Sequence, residues 1–290
     1  MKILKNILAL ILLLSMIISM VSCHKETPNE TNDNEYTVTV KNPLGKSLAG
    51  VRLLIHEDGG ADFNVCMEPL TTDIDGTVTL TLDPSKSYSI GLMGYPDAYV
   101  AKSGNSRAER YAVDSKNVEI VLDINEYYAP SRYDLGDFMP NFTLTDYSAN
   151  TYNLYDILTD KKAVVLNFWY KECTWCIKEF PALNSAYNSY KIDLEVLAIN
   201  DYDYSISGYE SVIGVKLDMP VIGAKNDPVI SASHFGQTTW PTTVVIDRYG
   251  VVSFVHSGAI TSESDWGKLF EYFISDSYSG APVNDINDIL

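Results

Sequence analysis

The stretch AVVLNFWYKECTWCIKEF, residues 163–180, decides how this chain is read. Residues 163–169 are almost wholly apolar, the pattern of a strand covered on both faces. Cys173 and Cys176 follow, separated by Thr174 and Trp175, and a helical pattern runs over 174–190. One thiol is therefore placed at a helix N-terminus, where unpaired backbone N–H groups favour the thiolate. The spacing lets the second thiol attack a mixed disulfide formed by the first, as thiol–disulfide exchange requires.

Working outward, strands and helices alternate over 138–275. Strands are expected at 194–199, 220–224, 242–247 and 251–256. A helix is expected within 205–212, a helical turn or two at 228–234, and a last helix at 264–274. This is an α/β pattern around one mixed sheet. Residues 36–124 read differently. Val38 and Val40, Val78, Leu80 and Leu82, Tyr88, Ile90 and Leu92, and Val118, Ile120 and Leu122 alternate with polar neighbours, and turn signals such as Asp75-Gly76 separate them. Short strands at this spacing predict a small all-β sandwich. Residues 125–137, with Pro130 and Gly136, read as a linker, and 276–290 as a C-terminal tail without a clear period.

Residues 1–22 carry a short basic start and an apolar core too short to cross a bilayer comfortably, which predicts a secretory signal. Small residues lead directly into Cys23. This resembles the bacterial lipoprotein signal, in which that cysteine is lipidated, although Met20 stands where Leu is usual. An uncleaved anchor helix and plain secretion are the other two readings, and all three place the chain outside the cytoplasm. Residues 23–35 are polar and aperiodic, a tether. The chain has 290 residues, 46% of them hydrophobic, enough for two cores. Its formal charge of −17, made more negative still by losing Lys2 and Lys5 with the signal, argues against nucleic acid and anionic lipid as partners. Cys66 remains as a lone cysteine, either a small buried apolar residue or a third redox thiol.

Leu166-Asn167-Phe168-Trp169, Cys173, Cys176 and Lys178-Glu179-Phe180-Pro181 together resemble the thioredoxin fold, and within it the membrane-anchored TlpA-like and ResA-like thiol–disulfide oxidoreductases. Residues 235–247, FGQTTWPTTVVID, resemble the family's second signature, a cis-proline before a strand ending in Asp; the matching position is Pro241. The resemblance covers about residues 134–275. It implies that Cys173 attacks, that Cys176 resolves, and that the Trp240 backbone beside Pro241 pairs with an extended substrate. It implies no cofactor and no metal. Separately, residues 45–51 and 72–77 resemble the carboxypeptidase-regulatory-like and prealbumin-like sandwich modules of exported bacterial proteins, which carry no catalytic residues.

Three departures from the thioredoxin pattern bear on the chemistry. Glu172 replaces the Trp that usually precedes the first cysteine; it is either an exposed charge that opposes the thiolate or a proton acceptor. Asn167 stands where cytoplasmic thioredoxins bury an Asp, so proton assistance is absent or comes from elsewhere. The Thr174-Trp175 pair is unusual and leaves the redox potential open. Trp175 either offers an apolar contact to a partner or packs on the sheet edge.

A zinc site using His234 and His256 fits poorly with a single C-x-x-C. Peroxiredoxins place Thr or Ser three residues before the attacking cysteine, where this chain has Tyr170. The expectation is a lipid-anchored, extracytoplasmic thiol–disulfide oxidoreductase, reducing exported proteins with electrons from a membrane-bound thiol reductant. The rivals are a cell-surface binding lipoprotein with a structural disulfide and a peroxiredoxin-like peroxidase.

Overall fold

The computed structural model describes residues 34–58, 68–102, 109–128, 130–203, 208–225 and 230–290. The expected signal, Cys23, nearly all of the tether, and Cys66 lie outside the described residues. The chain divides into two compact units, Met1–Ile124 and Asn125–Leu290.

The first unit is built of strands: β1 (Glu35–Lys41), β2 (Arg52–Glu57), β3 (Leu70–Thr71), β4 (Thr77–Thr81), β5 (Tyr88–Gly94), β6 (Tyr99–Val100), β7 (Arg110–Ala112), β8 (Asn117–Val121) and β9 (Asp123–Ile124). They form three sheets, ordered β4-β1-β8, β3-β2-β5-β7 and β6-β9. The period-2 alternation buries Val38, Val40, Leu80 and Ile120 completely or nearly so. The two stretches around 45–51 and 72–77 meet. Thr72 Oγ1 donates to the Leu48 carbonyl at 2.6 Å and accepts from Val51 N at 3.0 Å. Gly76 is required at this junction, because it sits at φ +69° and a Cβ there would lie 2.6 Å from Leu48 N.

The second unit contains β10 (Thr143–Thr145), β11 (Thr151–Asn153), α1 (Leu154–Asp160), β12 (Ala163–Trp169), α2 (Thr174–Tyr190), β13 (Leu194–Asn200), α3 (Glu210–Ile213), β14 (Val221–Gly223), β15 (Thr242–Asp247), β16 (Val252–Ser257) and α4 (Glu263–Ile274). Five strands form one sheet in the order β14-β13-β12-β15-β16. Central β12 pairs parallel with β13 and antiparallel with β15, so the sheet is mixed and the fold is thioredoxin-like. Every residue of β12 and β15 is buried, the largely apolar runs together with the polar Asn167, Thr242, Thr243 and Asp247. Val165, Val196, Val245 and Phe254 share a core with Phe180 and Leu183 of α2 and Trp266, Phe270 and Phe273 of α4.

Two of the expected minor helices fall partly outside the described residues. Of the helix expected within 205–212, residues 205–207 lie outside the described residues, and the described part holds the single turn α3. Gly208, at φ +76°, precedes it, and Gly214, at φ +78°, ends it. Residues 228 and 229 lie outside the described residues; the described part of 228–234 carries a 3-10 turn, Ala232–Phe235, with His234 in its last turn. The β10–β11 hairpin and α1 have no counterpart in the sequence expectation. Asn153 caps α1, its side chain accepting from Tyr155 N and Asp156 N.

Within 125–137, Tyr133 is buried and its N–H donates to the His234 carbonyl at 2.7 Å. Gly136 N donates to the Val252 carbonyl at 2.8 Å. Residues 276–290 also lie on this unit. Val283 N donates to the Ser253 carbonyl at 2.8 Å, and Tyr278 Oη donates to Asp247 Oδ2 at 2.9 Å in a buried setting. Tyr278→Phe leaves that carboxylate oxygen with one donor fewer, so it should lower stability by about 2 kcal/mol in urea unfolding. A loss near zero would mean that the C-terminal residues do not anchor the unit.

Candidate active site

Cys173 and Cys176 are joined as a disulfide, with their Cα atoms 5.2 Å apart. The wholly buried strand β12 delivers the chain to this point. Cys173 N then donates to the Tyr170 carbonyl at 3.1 Å, turning the backbone into α2. Cys173 is the N-cap residue, and its Sγ accepts from Cys176 N at 3.1 Å. This N–H contact and the helix dipole favour a negative sulfur at Cys173. Cys173 is 4% exposed and Cys176 is fully buried, so the outer sulfur is the one a partner meets.

Register brings the second signature to the same place. Thr242 of β15 pairs with Phe168 of β12, so Pro241 and Trp240 run alongside Trp169 and Tyr170. The Trp240–Pro241 bond is cis. The Trp240 indole packs edge-on against Tyr170 (ring centroids 5.6 Å apart) and Tyr202 (5.2 Å), and its Nε1 donates to Asp201 Oδ2 at 3.0 Å. Trp175 is 58% exposed, with Lys178 Nζ 4.3 Å from its ring centroid. Glu172 is exposed. Tyr170, where a peroxidase would carry a small hydroxyl residue, uses its ring in the aromatic contacts around Trp240.

Sequence reasoning missed Glu179. It lies one turn beyond Cys176 on α2 and is wholly buried. Its Oε1 accepts from Asn167 Nδ2 at 2.8 Å and its Oε2 from Ile260 N at 3.1 Å. Burial pushes its carboxyl up to about 8, and these two donors oppose the shift without cancelling it. Asn167 Oδ1 has no hydrogen-bond partner. With the Asn167 amide reversed, a protonated Glu179 would donate to that oxygen. The residue in the place of a buried Asp thus holds a buried Glu from the neighbouring helix.

His234 and His256 have other partners. His234 Nδ1 lies 2.8 Å from Ser231 Oγ. His256 stacks on Phe254, and burial lowers its pKa. Among the described residues, no group of three or more His, Cys, Asp and Glu side chains is placed to hold a metal ion, and no helix is long and apolar enough to cross a membrane.

A profile of the AhpC/TSA family matches residues 135–255. The thiol-disulfide oxidoreductase ResA of Geobacillus kaustophilus is 33% identical over 130 residues, which span 44% of this chain and 72% of that protein. ResA of Halalkalibacterium halodurans is 30% identical over 129 residues, 44% of this chain and 71% of the relative. Among solved structures, the thioredoxin domain of a thiol-disulfide oxidoreductase from Bacteroides vulgatus covers 49% of this chain and 98% of its own, at 22% identity and a TM-score of 0.39. With a third of its aligned residues shared over nearly three quarters of a ResA sequence, the chain belongs to the ResA-like thiol-disulfide oxidoreductases.

Proposed function

We propose that this enzyme is a lipid-anchored, extracytoplasmic oxidoreductase that reduces disulfides in exported proteins through Cys173 and Cys176. The observation that carries the reading is the disulfide itself, set at the N-terminus of α2 with a buried carboxyl one turn behind it. In the dithiol form, Cys173 thiolate attacks one sulfur of a substrate disulfide. A Cys173–substrate mixed disulfide forms, and the other substrate sulfur leaves as a thiolate and takes a proton. Cys176 then passes its proton to Glu179 and attacks the Cys173 sulfur. The second substrate thiol leaves, and the Cys173–Cys176 disulfide remains. Two electrons have moved from enzyme to substrate, and a membrane-bound thiol reductant returns them. Trp240, Pro241 and Trp175 would receive the substrate segment, which pairs strand-like with the Trp240 backbone. Glu172 stands at the mouth as an exposed charge.

Residues 1–22 and Cys23 support the anchored, exported location, and residues 23–35 the tether. The strand-rich first unit would serve as a sandwich spacer or docking module between that tether and the redox unit.

Cys176→Ser removes the resolving thiol and leaves the attacking one. In the native host it should accumulate mixed disulfides between Cys173 and exported proteins, separable on non-reducing gels and absent from Cys173→Ser/Cys176→Ser. If no mixed disulfides accumulate, the exchange role is wrong.

A further inference from the structure

We propose that Asp201 is a positioning residue. It fixes the Trp240 indole in an aromatic wall, shared with Tyr170 and Tyr202, that selects substrates carrying an aromatic or large apolar side chain beside the reacting cysteine. The proposal rests on the exchange function argued above and names the class of polypeptide that function favours.

Asp201 directly follows β13, and its N–H donates to the Trp169 carbonyl at 3.0 Å, fastening it to the end of β12 that leads to Cys173. Its Oδ2 accepts two hydrogen bonds, from Trp240 Nε1 at 3.0 Å and from Ala232 N at 3.1 Å. Its Oδ1 is buried without a partner, so nothing competes for the side chain's orientation. One carboxylate oxygen therefore ties the Trp240 side chain to the 3-10 turn at Ala232–Phe235. The bond to Nε1 holds a ring that would otherwise turn about χ1 and χ2.

The fixed indole is contacted by two further rings. Tyr170 and Tyr202 lie 5.2 Å apart, and each meets Trp240 edge-on. Tyr170 is three residues before Cys173, and Tyr202 is 50% exposed, so the wall begins beside the sulfurs and opens to solvent. Two of the nearby charges pair with each other: Lys171 Nζ lies 3.3 Å from Asp203 Oδ1. A rigid aromatic face rewards apolar side chains, because the ordering cost is met before the substrate arrives.

The test uses two peptides, each bearing one cysteine disulfide-linked to glutathione and differing only in Phe or Ser beside that cysteine. Their loss on mixing with the reduced full chain is followed by mass spectrometry. The wild type should consume the Phe peptide about tenfold faster. Asp201→Ala should bring the ratio close to one. Asp201→Asn should keep it, because an amide oxygen can accept both hydrogen bonds. Tyr202→Ala, a half-exposed position with little effect on folding, should also lower the ratio. A general structural defect slows both peptides alike and leaves the ratio intact. A wild-type ratio near one, or wild-type ratios in Asp201→Ala and Tyr202→Ala, overturns the wall while brisk exchange leaves the redox function standing. If the wild type consumes neither peptide, the exchange function fails and the wall with it.

Discussion

Glu179→Gln slows the release of substrate from the Cys173 mixed disulfide by about 100-fold near pH 8, the size expected when a positioned general base is lost. It also removes the rise in that rate as pH climbs through about 8. Cys176 is fully buried and must lose a proton before it can attack the Cys173 sulfur. Glu179 is the wholly buried carboxyl one turn further along α2, and it accepts protons only when ionised. Burial holds it protonated below about 8, so resolution accelerates as the pH passes that value and then levels off. A glutamine side chain fits the same space. Its carbonyl can accept from Ile260 N, and its amide can donate to Asn167 Oδ1, the oxygen that otherwise lacks a partner. A slow variant is therefore a folded variant. The measurement is a single-turnover decay of a preformed mixed disulfide across pH. An unchanged profile in Glu179→Gln would place the proton acceptor elsewhere, with the exposed Glu172 next in line.

The central elements were legible because their patterns are long and their environments simple. β12, α2 and β15 fall where the sequence places them, since strands buried on both faces read as apolar runs and a helix of 17 residues shows its period. Pro181 did not obscure α2, because the apolar positions 176, 180, 183 and 187 continue on both sides of it. The same stripe carries one further signal. Glu179 lies on it, and a carboxyl on the buried face of a helix is either neutralised or put to use. The β10–β11 hairpin has strands of three residues each, too short for a two-fold alternation to register. α1 is only seven residues long, and its clearest mark was the capping Asn153. The Asp201–Trp240 bond joins residues 39 apart in sequence through the sheet order, which no local pattern encodes. Lone polar residues in loops acquire their partners only once β13, β12 and β15 lie side by side.

Titration of Glu179 also makes the oxidised protein less stable as pH rises, by about 5 kcal/mol over the full range. The sign follows from which state holds the proton. In the unfolded chain the carboxyl titrates near its ordinary 4.5, and in the folded protein near 8. Between these values the folded state keeps a proton that the unfolded state has released. The stability this confers is fully present below about 4.5 and is lost as pH rises through about 8, where the folded protein must hold a carboxylate away from water. Burial also raises Glu195 and Asp201, with the same sign, so the wild-type curve alone does not isolate Glu179. The difference between wild type and Glu179→Gln does, because the other two groups are common to both. Urea unfolding of the disulfide form at a series of pH values should show the Glu179→Gln variant gaining on the wild type throughout this interval and keeping the gain above it. Parallel curves would mean that Glu179 is already ionised in the folded state and that burial does not hold its proton. Divergent curves would identify a residue that weakens the fold in order to keep an acceptor beside Cys176. Wild-type stability and the resolving rate would then change with pH in opposite directions, and through the same proton.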